Sequence, residues 1–290
     1  MDPITRQAIA AASGAGGGEG LYVDDLFSTY LYKGNASTRT ITNGIDLSGE
    51  GGLVWFKVRS AADSHSLYDT ERTLSQYGTC DELFANLTSQ EQAQSNGLTA
   101  FNNNGFTIGN RSSVNYNNQD ICSWTFRKAP GFFDIVTYTG NGTAGRTIAH
   151  SLGSAPGMIL VKVLNDSGNW QVYHRSLGAT HAAVLNTAAK AEAVTNRWND
   201  TEPTSSVFTV GSGPTNTNGA TYVAYLFAHD DQSFGASGNE SIIKCGGYSG
   251  TGSSIGNVIN LGWEPQYLLI KNATHTWTGS EDYVSWHIFD

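Results

Sequence analysis

Charge is scarce in this sequence, and basic charge scarcest. Charged residues make up 14%, Lys and Arg number 16 against 25 Asp and Glu, and the net charge is −9. Without a basic face there is nothing to neutralise phosphates, which excludes a nucleic-acid binder. An acidic surface is not drawn to anionic membrane either. No apolar run approaches the roughly 18 residues needed to cross a bilayer. Residues 1–20 lack the charged start and apolar middle of a secretory signal. A soluble protein made in a cytoplasm is expected. Cysteine is sparse too: Cys80, Cys122 and Cys245 are far apart and outside CxxC spacing. They are expected as small buried hydrophobes, without redox or metal roles.

Catalytic signatures are missing as well. The sequence has no GxSxG elbow, HExxH pair, P-loop or EF-hand pattern. His65, His150, His181 and His275 show no metal-ligand spacing. Asp24-Asp25 and Asp230-Asp231 are expected as solvated loop carboxylates rather than cation ligands, and Asp200 and Glu202 as turn caps. His174 follows an aromatic strand, as a general base would, but Asp69 and Asp290 take comparable places elsewhere. A strand-end role is therefore expected. Asn-x-Ser/Thr triplets such as Asn35-Ala36-Ser37 carry no weight without a secretory signal. No catalytic residue, cofactor or metal site is expected, and the protein is read as a non-enzyme.

What is abundant is Gly, Asn, Thr and Ser, the composition of short strands joined by tight turns. The chain also repeats itself. Leu152-Gly153-Ser154-Ala155-Pro156-Gly157-Met158-Ile159-Leu160-Val161-Lys162 returns as Leu261-Gly262-Trp263-Glu264-Pro265-Gln266-Tyr267-Leu268-Leu269-Ile270-Lys271. A fainter copy, from Leu47 to Lys57, keeps the ten-residue Leu-to-Lys distance without the Pro. Upstream of the lysines lie Tyr32-Lys33-Gly34, Tyr138-Thr139-Gly140 and Tyr248-Ser249-Gly250. Downstream lie Ser66-Leu67-Tyr68-Asp69, Trp170-Gln171-Val172-Tyr173-His174 and Trp286-His287-Ile288-Phe289-Asp290. Phe106 to Gly109 answers Phe208 to Gly211, and Cys122 to Phe126 answers Val223 to Phe227. Lys57, Lys162 and Lys271 stand 105 and 109 residues apart, so the chain holds two full units and about half of a third.

The expected fold class is all-β, with tandem β-sandwich repeats of jelly-roll or concanavalin-like type and a short N-terminal anchor. The near-continuous aliphatic run at 158–163 is expected to be a strand buried on both faces or central in a sandwich. Asn-Gly pairs punctuate the strands as turns. Short helices are expected at 89–93 and 188–194, where Ala, Glu and Gln gather. The units divide as an anchor and tether at 1–20, repeats at 21–132 and 133–235, and a partial repeat at 236–290. Asp2-Pro3 is a helix-start signal, and Ile4, Ala8, Ala11 and Ala12 share one face, a segment too short to hold without a partner. The glycine-rich stretch 14–20 makes a flexible tether. Because Asp290 falls inside an element of the third unit, the natural protein is expected to continue or to belong to something longer. The three lysines are expected to cap their strands as solvated charges. Tyr116, Trp198 and Trp277 lie in polar, loop-like contexts and are candidate glycan contacts, since exposed aromatic faces stack on sugars.

These elements together resemble a repeat domain of predicted structural proteins of cyanophages and other marine phages. The resemblance rests on the Tyr-x-Gly turn, the Leu-Gly-x-x-Pro strand ending in Lys, Trp170-Gln171-Val172-Tyr173-His174, and Tyr222-Val223-Ala224-Tyr225. Leu67-Tyr68-Asp69-Thr70 with Arg72 adds to it. It covers about residues 21–290 and implies a virion structural or tail-fibre-like protein without catalytic residues. The expectation that follows is a tail or neck fibre subunit, docked on other virion proteins by Asp2, Pro3, Ile4, Ala8, Ala11 and Ala12, and homotrimeric by analogy with other fibres. The alternative is a carbohydrate-binding adhesin or head-decorating fibre that meets host surface glycan.

Overall fold

A computed structural model describes residues 20–72, 80–253, 256–275 and 284–290. The anchor residues Asp2, Pro3, Ile4, Ala8, Ala11 and Ala12, and Trp277, lie outside the described residues. The protein is all-β, 37% strand and 3% helix, built from antiparallel sheets as in a sandwich.

Residues 27–127 form eight strands: β1 (Phe27–Lys33), β2 (Arg39–Thr42), β3 (Gly52–Val58), β4 (Ser66–Asp69), β5 (Leu83–Phe84), β6 (Leu98–Asn102), β7 (Gly105–Ile108) and β8 (Asp120–Arg127). Their main sheet runs β1-β8-β3-β4-β5, covered by a smaller sheet β2-β7-β6. Residues 133–227 form β9 (Phe133–Thr139), β10 (Arg146–Ala149), β11 (Met158–Val163), β12 (Gln171–His174), β13 (His181–Val184), β14 (Glu192–Ala193), β15 (Val207–Val210) and β16 (Thr221–Phe227). The main sheet here runs β9-β16-β11-β12-β13-β14, with β10-β15 apart from it. Dropping β14, the two main sheets have one strand order. A final hairpin pairs β17 (Leu268–Lys271) with β18 (Trp286–Phe289).

Register ties the hairpins together. Leu53 pairs with Asp69 in β3·β4, Met158 with His174 in β11·β12, and Lys271 with Trp286 in β17·β18. Extending the first two ladders sets Lys57 opposite His65 and Lys162 opposite Trp170, the same pairing as Lys271 with Trp286.

Side chains alternate across a strand with period two, and here both faces are buried. Val54, Phe56 and Val58 enter an apolar cluster with Phe106 and Ile108 from β7, the core of the first sandwich. The Phe56 and Phe106 rings meet edge to face at 5.3 Å. Ile159, Val161 and Val163 do the same with Phe208 and Val210 of β15. The opposite faces, carrying Leu53 and Trp55 of β3 and Met158 and Leu160 of β11, share one central cluster. Tyr267, Leu269, Trp286 and Ile288 of the last hairpin pack on that same cluster. The sheets thus face each other across one interior, and the aliphatic run at 158–163, broken only by Lys162, follows from cover on both sides.

The first two Tyr-x-Gly turns show why glycine is required there, whereas a Cβ at Gly250 would meet nothing within 4 Å. A Cβ at Gly34 would lie 1.9 Å from the Tyr116 carbonyl oxygen, and one at Gly140 would lie 2.2 Å from that of Thr217. Around each glycine the same bonds form. The Tyr32 hydroxyl donates to the Val114 carbonyl and that of Tyr138 to Thr215, while Asn115 and Asn216 accept from the Asn35 and Asn141 amides.

Two expected helices are absent. Residues 89–93 form no helix and bridge Gln92 to Glu82, and residues 188–194 include β14. Helix propensity is a weak prior, and these segments give their backbone N–H groups to neighbouring chain, which a helix would keep for itself.

Candidate functional site

Contacts between β-units bring buried polar and charged side chains together among the described residues. At the first junction the Trp170 indole N–H donates to the Phe84 carbonyl at 2.9 Å. The Lys162 ammonium donates to the carbonyls of Thr88 at 2.9 Å and Gly168 at 2.6 Å. The Glu91 amide donates to the Leu164 carbonyl at 2.9 Å. Trp170 and Lys162 are both wholly buried. Burial pulls the Lys162 pKa down to about 8, against the pull of Asp166. The lysine is therefore no solvated strand cap. Its stem runs through the interior and its head meets two carbonyls, so the expectation for Lys162 is corrected.

Beside it lies a buried ion pair. Arg72 Nε donates to Asp69 Oδ2 at 2.5 Å, and the Glu71 and Arg72 amides donate to Oδ1 at 3.0 Å each. The Tyr225 hydroxyl, from β16, donates to Asp69 Oδ2 at 2.7 Å. Glu91 Oε2 accepts from Arg72 Nη1 at 3.3 Å. Burial alone would lower the Arg72 pKa, but Asp69 more than offsets it and the guanidinium stays charged. Burial raises the Glu91 pKa despite Arg72. Such a set can hold two units in one orientation; every polar atom named is already bonded within the protein.

The second junction repeats the first. Trp286 Nε1 donates to the Val184 carbonyl at 2.8 Å, Lys271 Nζ to those of Ala188 at 3.0 Å and Val284, and the Ala191 amide to the Ala273 carbonyl at 2.9 Å. Receiving positions 84, 88 and 91 become 184, 188 and 191. The segments read as helices from composition hold three of these receivers, Glu91, Ala188 and Ala191. Sequence reasoning missed the grip, although matched Trp170 and Trp286 downstream of matched lysines were its visible trace.

Of the glycan candidates, Tyr116 is 42% exposed, on the loop after the short helix Ser112–Asn115. Trp198 is corrected: it is 1% exposed inside the second sandwich, edge-on to Tyr173, and presents no face to a sugar. His174 sits half-buried at the end of β12, where its Nδ1 accepts from the Ser176 amide. Asp230 pairs with Lys244 at 3.6 Å. All three cysteines are free, with Cys80 and Cys122 buried, and burial raises the Cys80 thiol to about 12. Among the described residues no group of three His, Cys, Asp or Glu side chains could hold a metal ion.

One cleft of about 340 Å³ is lined by Ser154, Ala155, Pro156, Tyr173, Arg175, Glu202, Pro203 and His229. Its carboxylate, Glu202, accepts from the Tyr173 hydroxyl at 2.5 Å and the Ala179 amide at 2.7 Å. A glycoside-cleaving pair needs a second carboxylate across the groove, and none lines this cleft.

Fold and junctions together define an all-β protein of sheets packed through recurring contacts on one shared core. The chain belongs to the family described as a domain of unknown function, DUF7483, whose model matches residues 23–290. No curated protein and no solved structure matches it.

Proposed function

We propose that the chain is a structural protein of a phage particle, a tail or neck fibre subunit held by its N-terminus and projecting its β-units toward the host. The observation that carries this reading is the repeated junction. An appendage must hold successive units in fixed orientation, and the same indole, ammonium and amide contacts join them at both places. The resemblance to marine phage virion proteins supplies the particle, and the units supply the rigidity. The protein works by position and not by turnover, since Glu202, the carboxylate of the cleft, is committed to internal bonds.

Proteomics of purified particles, with and without residues 1–13 of this chain, tests the reading. The full chain should be present at fixed copy number, and the truncated chain should fold, stay soluble and be missing from particles. A protein absent from purified particles would end the virion reading. Normal incorporation of the truncated chain would move the anchor elsewhere. Release of sugar from host envelope, abolished by one carboxylate substitution, would overturn the non-enzymatic part.

A further inference from the structure

The junction contacts run in one direction. The first unit offers carbonyl, carbonyl and amide at 84, 88 and 91 to the second, through Trp170, Lys162 and Leu164. The second offers the same groups at 184, 188 and 191 to the last hairpin, through Trp286, Lys271 and Ala273. The last hairpin in turn packs on the first unit. The Tyr267 ring lies 5.8 Å from Phe27 and 5.7 Å from both Trp124 and Phe126. Asp290 holds the register place of Asp69. It accepts from Cys122 of β8 at 3.0 Å, much as Asp69 accepts from Tyr225 of β16. Arg59 sits 3.5 Å from the same carboxylate. Three hairpins therefore circle one core in a single sense.

Among the described residues one grip of the circle has no receiver. Lys57, Arg59 and His65 stand at the register positions of Lys162, Leu164 and Trp170. Lys57 Nζ has the local carbonyl, that of Asp63, as Lys162 has that of Gly168, but among the described residues no counterpart of Thr88. His65 Nδ1 accepts from the Trp55 indole at 3.0 Å. Burial, with Lys57 adding to it, drops the His65 pKa to about 4, so the ring is neutral and its proton lies on Nε2. That N–H has no hydrogen-bond partner among the described residues, and neither does the Arg59 carbonyl.

We infer that Lys57, Arg59 and His65 form a third docking edge, which takes the segment that follows the hairpin of a further module of this family and closes three modules about a pseudo-threefold axis. The occupant presents two backbone carbonyls four residues apart and an amide three residues beyond, as residues 84, 88, 91 and 184, 188, 191 do. The chain's own two such strands are already held, so the edge calls for another. His65 Nε2 stands in for the indole N–H of Trp170 and Trp286. This assignment is independent of where the protein works.

A graft tests it. Because Asp290 holds the register place of His174, residues 175–195 are appended after Asp290 to supply the strand in cis. Hydrogen exchange should slow at least tenfold in the graft and in residues 57–65, and the graft should resist protease. Lys57→Met in the grafted chain should remove most of that protection, and Lys57→Met with His65→Phe should remove it all, with far-ultraviolet dichroism unchanged. A graft that stays labile beside intact Lys57 and His65 overturns the edge, as does protection indifferent to Lys57→Met. Concentration-dependent self-association of the ungrafted chain, abolished by Lys57→Met, would make a second copy the occupant and overturn the assignment to a further module.

Discussion

Lys57 and Lys162 hold the same place in the same kind of hairpin, yet their surroundings differ. Lys162 is sealed, with a carbonyl from its own loop and one from the preceding unit. Lys57 is half-buried, and among the described residues its head meets only its own loop carbonyl. Opposite them, Trp170 is wholly buried and His65 partly so. The strand provides the position, and the neighbouring unit decides whether it becomes interior. Residues at matched register positions are therefore not equivalent in energy, and substitution in pairs measures what the neighbour adds.

The largest difference is expected at the indole. Trp170→Ala empties a fully buried ring site and leaves the Phe84 carbonyl only the longer bond from the Leu87 amide, costing about 3–5 kcal/mol. His65→Ala, at the uncovered position, should cost about 1–2 kcal/mol, chiefly the lost bond to Trp55. Denaturant unfolding of both variants measures this, and equal losses would show that the covering unit adds nothing.

The ion pair sharpens the comparison. At the register places of Asp69 and Arg72 the second sandwich has His174 and Leu177, and no counterpart pair. Arg72→Leu alone strands a buried carboxylate and should cost about 3 kcal/mol. Asp69→His with Arg72→Leu copies the second sandwich and should recover most of that loss, since a buried pair is often replaceable as a whole. If the double variant is no more stable than the single one, the pair is a requirement of the junction and not one of two interchangeable solutions.

How far the sequence alone reaches can be judged at these same residues. The aliphatic run at 158–163 showed cover on both faces, because it lacks the alternation of a half-exposed strand. Turn glycines were legible because only glycine tolerates the approach of a carbonyl such as that of Tyr116 to Gly34. Who covers each face was not legible: an apolar residue reads the same whether its own smaller sheet or a neighbouring unit lies over it. Lys162 looked like a solvated cap for that reason, and Trp198 looked exposed because polar loop residues surround it in sequence while Tyr173 and Phe208 surround it in space. Backbone acceptors such as Phe84 and Val184 leave no mark of their own in side-chain chemistry, so the grip could be traced only from its donors.

The smallest effect is the most specific, because it has a pH signature. Lys162→Met leaves the Thr88 carbonyl without its ammonium and should cost about 1–3 kcal/mol at pH 7, against under about 1 kcal/mol for Lys57→Met. In the folded protein Lys162 titrates at about 8, below its ordinary 10.5. Below pH 8 both folded and unfolded chains hold the proton and there is no slope. Between pH 8 and 10.5 the unfolded chain holds more of it, so the unfolding free energy of the wild type rises with pH relative to a chain lacking this lysine. The neutral amine still carries N–H donors for its carbonyls while the cost of burying charge is gone. The gap between wild type and Lys162→Met should therefore widen by about 1–3 kcal/mol across that window. Titration of tyrosines and cysteines is common to both proteins and cancels in the difference. Burial lowers the Lys57 pKa as well, so its gap should widen in the same direction, but less, because water reaches its head. Parallel curves for the two variants would mean that the neighbouring unit does not set the environment of Lys162, and the distinction between covered and uncovered hairpins would fail.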